Sequence, residues 1–329
     1  MYAYTLNSNN QEGLNNLQLN EMPVPNPQKD EVLIQVNSIG LNPVDYKLIE
    51  KPLSSFEYPH IFGLDAAGTV VSVGENVKGF KVGDRVAGHN NLQKDGTFAE
   101  YAIFPDYSLA KILENVTFET AAALLCGAMT AYQAIFRKMN LTGKKNILIH
   151  AGAGGVGSIA LQLAKLKGLD VITTVSSSKK PFVTAFSPDK IIDYKHENVS
   201  EEINKYTNDV GVDLILNTVG GNETYLDVTE RLAYNGELVS IVNVPNFSDN
   251  NILSEKGLTI SALNLGGAHS STSINQKKDL GKMALELLEL ASTEKIDANI
   301  TEVLPFNQLI SGLKKLYSRD SLGKIIVKI

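Results

Sequence analysis

The stretch that decides the fold of this 329-residue chain is NILIHAGAGGVGSIA, which runs from Asn146 to Ala160. An apolar run leads into Gly152, Gly154 and Gly157, spaced as G-x-G-x-x-G, and an amphipathic segment follows. Glycines at these positions permit a tight strand-to-helix turn whose backbone N–H groups can approach a pyrophosphate. The pattern predicts a dinucleotide-binding turn, and the alternative is a glycine-rich turn that binds no ligand.

On both sides of this turn, apolar runs of strand length alternate with helical patterns. We predict strands over 146–150, 170–175, 190–192, 212–217, 234–242 and 258–263, and helices over 156–167 and from Lys180 onward. A helix-start signal at Thr117 precedes a predicted helix over 121–137. Such alternation is typical of a parallel, doubly wound sheet.

The first third of the chain has a different texture. Short β-branched runs such as 31–36 and 69–73 are broken by proline and glycine, which predicts a twisted antiparallel β unit. After Gly266 the chain carries an amphipathic helix over 277–290 and a closing strand over 324–329, and we expect this tail to return to the first domain.

Composition narrows the classes of partner. A formal net charge of -6 gives no broad attraction to nucleic acid or to an anionic membrane. The single cysteine, Cys126, excludes an intrachain disulfide and a thiolate-rich structural zinc site. We see neither a signal peptide nor an apolar run long enough for a membrane span, so we expect a cytoplasmic protein.

The identity of the dinucleotide follows from the residues after the second strand of the sheet. NAD-preferring sites usually carry a carboxylate there, whereas this chain has Ser176, Ser177, Lys179 and Lys180. Hydroxyls and a lysine can hold a 2′-phosphate by charge-assisted hydrogen bonds. We therefore expect NADPH bound through Ser176, Ser177 and Lys180; the alternative is that the lysines only begin a solvated helix.

Several further motifs carry a resemblance to a known family. They are Gly40–Tyr46, Pro59–Gly68, Val82–Val86, Gly96–Tyr101, the glycine turn, and the ending from Ser318 to Lys324. In this order they resemble the medium-chain dehydrogenase/reductases, and within them the zinc-independent quinone oxidoreductases and enone reductases. The resemblance implies a GroES-like catalytic domain over 1–119 and 266–329 and a Rossmann NADPH-binding domain over 120–265. It also implies an active site in the cleft between them, and a homodimer formed through the Rossmann sheet edge at 258–263.

The resemblance assigns the remaining cofactor contacts position by position. Thr130 and Val242 are expected near the nicotinamide, Tyr194 near the 2′-phosphoadenosine and Asn217 near the ribose. Arg319 is expected to reach the cofactor or to close the cleft. Gly155 and Val156 belong to the glycine turn and are also expected to bind the cofactor.

The same resemblance tests for zinc. The positions that match the catalytic metal ligands of alcohol dehydrogenases are Asn42, Leu64 and Cys126, and an amide with a leucine cannot complete such a site. We interpret His60 and His89 as loop histidines and Cys126 as a packing residue. The sequence therefore predicts no metal.

Without a strong Lewis acid, conjugated acceptors are favoured over simple ketones, since the charge from hydride addition spreads onto an enolate or phenolate oxygen. We expect NADPH-dependent reduction of a quinone or an α,β-unsaturated carbonyl, with Asn42 and Tyr46 as catalytic donors to that oxygen. Asn42 as a turn residue, Tyr46 as an interface aromatic, and Asp45 as a structural residue rather than a base are the simpler readings. A zinc-type alcohol dehydrogenase and an NADPH-binding or sensing protein with little turnover are the alternative functions.

Overall fold

The computed structural model describes residues 1–8, 13–244, 247 and 251–329. These residues form two compact units, one of Met1–Met129 with Gly266–Ile329 and one of Thr130–Leu265. The first break follows Met129 rather than residue 119. Among the described residues, no helix is both long and apolar enough to cross a membrane.

The strands are β1 (Tyr2–Leu6), β2 (Gln18–Glu21), β3 (Glu31–Gly40), β4 (His60–Ile61), β5 (Asp65–Val73), β6 (Arg85–His89), β7 (Tyr101–Pro105), β8 (Leu109–Lys111), β9 (Asn146–Ile149), β10 (Asp170–Val175), β11 (Lys190–Asp193), β12 (Val212–Asn217), β13 (Leu232–Ser240), β14 (Thr259–Ala262), β15 (Ile300–Pro305) and β16 (Lys324–Lys328). The α-helices are α1 (Pro43–Glu50), α2 (Phe118–Ala123), α3 (Cys126–Gln133), α4 (Gly157–Leu166), α5 (Lys180–Thr184), α6 (Val199–Thr207), α7 (Asn222–Leu226), α8 (Ile252–Glu255), α9 (Ile274–Ser292) and α10 (Leu309–Tyr317). π-Helical turns follow α3 over Ala134–Lys138 and α7 over Asp227–Arg231, and 3₁₀ turns cover Leu14–Asn16, Asp106–Ser108, Ser177–Lys179, Gly266–Ser270 and Phe306–Gln308.

The second unit is built on one parallel sheet of order β11-β10-β9-β12-β13-β14. Its strands are apolar because both faces are covered, as Leu148, Ile172 and Ile215 show by their complete burial. The order reverses between β9 and β12. At such a switch point the carboxyl ends of the strands leave a crevice where ligands bind in sheets of this kind.

The first unit contains a sheet of order β15-β16-β3-β5-β6-β8, with β7 also pairing β3, and a smaller sheet of order β2-β1-β4. All pairs are antiparallel except β15 with β16. The tail returns to this unit, since β16 pairs with β3 and places Ile326 opposite Gly40. The predicted α/β class is confirmed.

One predicted helix, over 121–137, is wrong as a single element. The chain instead forms α2, leaves helical geometry at Leu124, and starts again as α3. The physical reason is tertiary: the Asp65 carboxylate accepts a hydrogen bond from the backbone N–H of Cys126 at 3.0 Å, which satisfies a donor at the start of α3. Thr117 does cap α2, because its hydroxyl accepts from the backbone N–H of Thr120.

Candidate functional site

The glycine turn joins β9 to α4 at the carboxyl edge of the parallel sheet. A Cβ on Gly152 would lie 2.1 Å from the Thr173 Oγ1 atom, and one on Gly157 would lie 2.4 Å from the Ala151 carbonyl oxygen. Packing therefore requires both glycines. A Cβ on Gly154 would lie 3.4 Å from the same Ala151 oxygen, which is an ordinary contact. Packing alone therefore does not explain why position 154 is a glycine.

The amino terminus of α4 supplies backbone donors to this turn. Within the described part of the chain, no side chain caps the helix at Val156. Gly154, Gly155 and Val156 are partly exposed. Since the first N–H groups of a helix lack intrahelical partners and carry a partial positive charge, this end can hold a phosphate.

Beyond β10, the predicted 2′-phosphate residues already have partners within the protein. The Ser177 hydroxyl donates to the Asp193 carboxylate, and the Lys180 ammonium lies 3.7 Å from a carboxylate oxygen of Glu197. Ser176 is buried, with its Oγ atom 3.3 Å from that of Ser178. Any anion bound here has to compete with two carboxylates.

Sequence reasoning missed these carboxylates because they do not follow β10 in the chain. Asp193 ends β11, and the parallel register places it opposite Val175. The Ser177 hydroxyl and, to a lesser degree, His196 lower the pKa of Asp193 to about 2, so this carboxyl is negative at neutral pH. Only the pairing of β10 with β11 shows that Asp193 lies beside the residues after β10, and no single stretch of sequence contains that pairing.

The predicted contacts at the ends of β12 and β13 differ in exposure. Asn217 is fully buried: its amide donates to Asp227 at 2.7 Å, and its oxygen accepts from the backbone of Val219 and Gly220. Its side chain thus shapes the loop after β12, and contact with a ribose stays a prediction. Val242 is half exposed.

Of the other predicted contacts, Thr130 is buried in the second unit, whereas Tyr194 is about half exposed after β11. Arg319 is exposed and belongs to the first unit, where it follows α10 with a positive φ of 62°.

A buried ionic network, not predicted from the sequence, ties together the ends of β9 and β12, because His150 follows β9 and the Asn217 amide at the end of β12 donates to Asp227. His150 lies 2.9 Å from Asp227, and Arg231 donates to the same carboxylate at 2.8 Å. Burial alone would raise the pKa of Asp227, but the charge and hydrogen bond of His150, followed by Arg231, outweigh it and lower that pKa. The network fixes the strand ends that carry the glycine turn.

In the first unit, Asn42 stands at the start of α1 and is buried. Its amide nitrogen donates to the Gly40 carbonyl at 3.0 Å and to Asp65 at 2.8 Å, while its oxygen accepts from the Lys324 ammonium at 2.5 Å. Both amide hydrogens are therefore used within the protein. This geometry favours a positioning role for Asn42 over donation to a substrate.

Asp65, at the start of β5, is the centre of this cluster. Its carboxylate accepts from Asn42, from the backbone of Cys126 and from His89, whose Nδ1 lies at 2.9 Å, and the Lys324 ammonium lies at 3.4 Å. Burial alone would raise the pKa of Asp65, but the positive charge of Lys324 and the hydrogen bond of His89 lower it. The carboxylate is a buried anion with a buried counter-charge.

Asp45 and Tyr46 lie on α1 beside this cluster. The Asp45 carboxyl group accepts from the backbone N–H of Asn42 at 2.7 Å, and burial followed by the charge of Asp65 raises its pKa to about 8. Tyr46 is half-buried and packs edge-on against Tyr317 at 5.4 Å. Among the described residues, its hydroxyl has no hydrogen-bond partner, so it can donate to a ligand.

A family resemblance that includes zinc enzymes raises the question of whether these residues fit a zinc ion. One ligand atom from each of Asp65, His89 and Cys126 lies within 4.8 Å of the others. However, Asp65 is already bonded by His89, and a buried ammonium stands beside it. Burial and then the charge of Asp65 raise the pKa of the Cys126 thiol, which opposes the thiolate that zinc needs. As arranged, the residues do not fit a zinc ion.

Comparisons with known proteins agree with this fold. The family described as alcohol dehydrogenase GroES-like domain matches residues 28–114, and the family described as zinc-binding dehydrogenase matches residues 155–288. A zinc-type alcohol dehydrogenase-like protein of Staphylococcus aureus is 32% identical over 246 residues, covering 73% of this chain and 72% of its own. Human quinone oxidoreductase is 29% identical over 227 residues, covering 67% of each chain.

Solved structures give the same result over the full length. The quinone oxidoreductase of Pseudomonas syringae aligns with a TM-score of 0.88 at 28% identity, and that of Escherichia coli, solved with NADPH, with 0.87 at 25%; both alignments cover 100% of each chain. The chain belongs to the medium-chain dehydrogenase/reductase superfamily, in its quinone-oxidoreductase-like branch. It is an oxidoreductase with a GroES-like domain and a Rossmann-type domain.

Proposed function

We propose that the protein is an NADPH-dependent reductase of quinones or α,β-unsaturated carbonyls that works without zinc. The observation that carries the proposal is the buried cluster in which the Lys324 ammonium lies beside the Asp65 carboxylate and serves as its counter-charge. A lysine held in this way is a fixed counter-charge and not an open Lewis acid. Acceptors that spread the incoming charge by conjugation suit such a site.

Binding of the cofactor is assigned to the second unit. The N–H groups of Gly155 and Val156 and the amino terminus of α4 bind the pyrophosphate, and Gly154, whose own N–H donates to the Ala151 carbonyl at 2.9 Å, leaves room for its approach. Ser176, Ser177 and Lys180 take the 2′-phosphate, Tyr194 lies along the adenosine, and Thr130 and Val242 border the nicotinamide. The bound cofactor supplies a hydride.

The polar chemistry is assigned to the first unit. Tyr46 donates its hydroxyl proton towards the substrate oxygen on which charge develops. Asn42 holds Lys324 and Asp65 in place, and Arg319 contributes to cofactor binding.

The test is NADPH and NADH oxidation by chelator-treated protein given a quinone, an enone and a simple aldehyde in turn. The proposal predicts turnover of the conjugated acceptors with NADPH. Activity that disappears on chelation and returns with zinc would instead support the alcohol dehydrogenase alternative. Tight NADPH binding without oxidation by any acceptor would support a binding or sensing protein.

A further inference from the structure

Three potential metal ligands converge in the first unit although two of the three expected zinc positions hold no ligand. Asp65, His89 and Cys126 each bring one ligand atom within 4.8 Å of the other two. A carboxylate oxygen, an imidazole nitrogen and a thiolate sulfur form a donor set that zinc accepts, with a fourth position left for a small molecule. Only Cys126 coincides with the positions that the family resemblance assigns.

The cluster already contains a cation of the protein's own. Lys324, on β16, is 4% exposed, and its ammonium lies 2.5 Å from the Asn42 oxygen and 3.4 Å from Asp65. A buried ammonium is tolerated only when it is paired and hydrogen-bonded, and Asp65 provides that pairing. A divalent ion on Asp65 would therefore meet a like charge that has no route to water.

We propose that the Lys324 ammonium keeps the Asp65–His89–Cys126 cluster closed to divalent metal ions, so that the protein carries a latent metal site which loss of this charge opens. The lysine and a metal ion are alternative counter-charges for Asp65. With the lysine present, the His89 Nδ1 atom is hydrogen-bonded to the Asp65 carboxylate, and Cys126 remains a thiol. With the charge removed, a metal ion takes the carboxylate, and binding displaces the proton of Cys126 to solvent.

Cobalt(II) added alone to the chelator-treated full chain tests this, because a cobalt–thiolate bond gives a charge-transfer absorption in the near ultraviolet. We expect no such band in the wild-type protein and a saturable band at one equivalent in Lys324→Met, a side chain of similar length without the charge. Lys324→Arg keeps the charge and serves as the matched control without a band. Lys324→Met combined with Cys126→Ser should lose the charge-transfer band.

Each remaining outcome decides the proposal. A cobalt–thiolate band in the wild-type protein overturns it, as does a folded Lys324→Met or Lys324→Gln protein that binds no cobalt. If both variants are unfolded by circular dichroism, cobalt should restore the native spectrum, because the ion replaces the missing counter-charge; failure to restore it in both also overturns the proposal. The readout involves neither NADPH nor an acceptor, so it stands apart from the test of the proposed activity.

Discussion

At the scale of single residues, Asp193 and Glu197 oppose the 2′-phosphate that the adjacent hydroxyls and lysine are proposed to bind. The sequence between Thr173 and Lys180 contains no carboxylate, which is why it predicts NADPH. The fold brings Asp193 to the same place from the next strand, and Glu197 pairs with Lys180. Selectivity between the two nicotinamide cofactors therefore depends on groups that no single stretch of the sequence contains.

Glu197→Gln should strengthen NADPH binding and leave NADH binding unchanged. The amide keeps an oxygen to accept from the Asp193 backbone N–H, as Glu197 does at 2.5 Å, but it releases the Lys180 ammonium. An exposed ion pair contributes up to about 1 kcal/mol, so we expect the dissociation constant of NADPH to fall by up to roughly fivefold. Titration with both cofactors measures it, with Glu201→Gln, in the first turn of α6, as control. An equal change for NADH would show that Lys180 does not contact the 2′-phosphate.

The hydroxyl of Tyr46 is the donor that remains at the start of α1 once both amide hydrogens of Asn42 are committed. Tyr46→Phe should lower kcat on the order of 100-fold and leave the dissociation constant of NADPH unchanged, because only stabilisation of developing charge is lost. Tyr317→Phe, which changes the aromatic partner of Tyr46, is the matched control and should retain activity. Equal rates for Tyr46→Phe and the wild-type enzyme would leave Tyr46 a packing residue.

Burial of Asp45 gives the folded protein a dependence on pH. Its pKa is raised to about 8, whereas an unfolded aspartate titrates near 4, so the folded state retains a proton that the unfolded state releases between these values. The contribution of this group to stability is therefore lost as pH rises from about 4 to about 8, at roughly 1 kcal/mol per pH unit.

Asp45→Asn should remove this slope, since the amide is neutral at every pH and can accept the Asn42 N–H hydrogen bond. Urea denaturation at a series of pH values measures the free energy of unfolding of both proteins. Asp65, whose pKa is lowered, contributes with the opposite sign and below pH 4, outside this window. Parallel curves for the two proteins would mean that Asp45 is ionised in the folded state.

Among the helices and strands, the sequence predicts those whose bounds are set by residues close together in the chain. The Rossmann strands and α4 follow from apolar runs and the glycine turn, and β10 and β12 have the predicted bounds. Helix α1 was missed although Asn42, Pro43 and Asp45 form a helix-start signal that the sequence does contain. The break between α2 and α3 has no comparable signal, because its partner, Asp65, lies on β5.

The turn between β9 and α4 allows packing and binding to be separated by two glycine substitutions. Gly154→Ala places its Cβ at an ordinary contact, so the protein should stay folded. The added methyl group should hold the pyrophosphate away from the N–H groups of Gly155 and Val156, so NADPH affinity should fall by about tenfold if one phosphate hydrogen bond is lost. Gly152→Ala forces a Cβ to 2.1 Å from Thr173 and should lower the thermal midpoint. Thermal unfolding and NADPH titration of both variants check this. Undiminished affinity in Gly154→Ala would place the pyrophosphate elsewhere.

The cluster around Asp65 is formed by residues that lie far apart in the sequence. For this reason the sequence alone could not predict which side chains meet there. The return of the tail to the first unit was expected, and β16 confirms it by pairing with β3. That this return carries the Lys324 ammonium to Asn42 and Asp65 depends on strand register and side-chain direction. Neither periodicity nor motif spacing contains that information.

The outer edge of the parallel sheet supports the remaining prediction, that the chain forms a homodimer through β14. This strand ends the sheet order, so its outward N–H and C=O groups have no partner strand among the described residues. The Leu263 N–H donates inward to Ser240, and because directions alternate along a strand, the N–H groups of Ile260 and Ala262 point outward.

Ala262→Pro should therefore remove an outward donor without breaking a bond to β13 and shift the protein towards monomer. Light scattering after size exclusion should give about twice 35.7 kDa for the wild-type chain and about 35.7 kDa for the variant at low micromolar concentration. Ala262→Ser keeps the N–H and should remain dimeric. A wild-type monomer, or a proline variant that is folded and still dimeric, would rule out pairing through this edge.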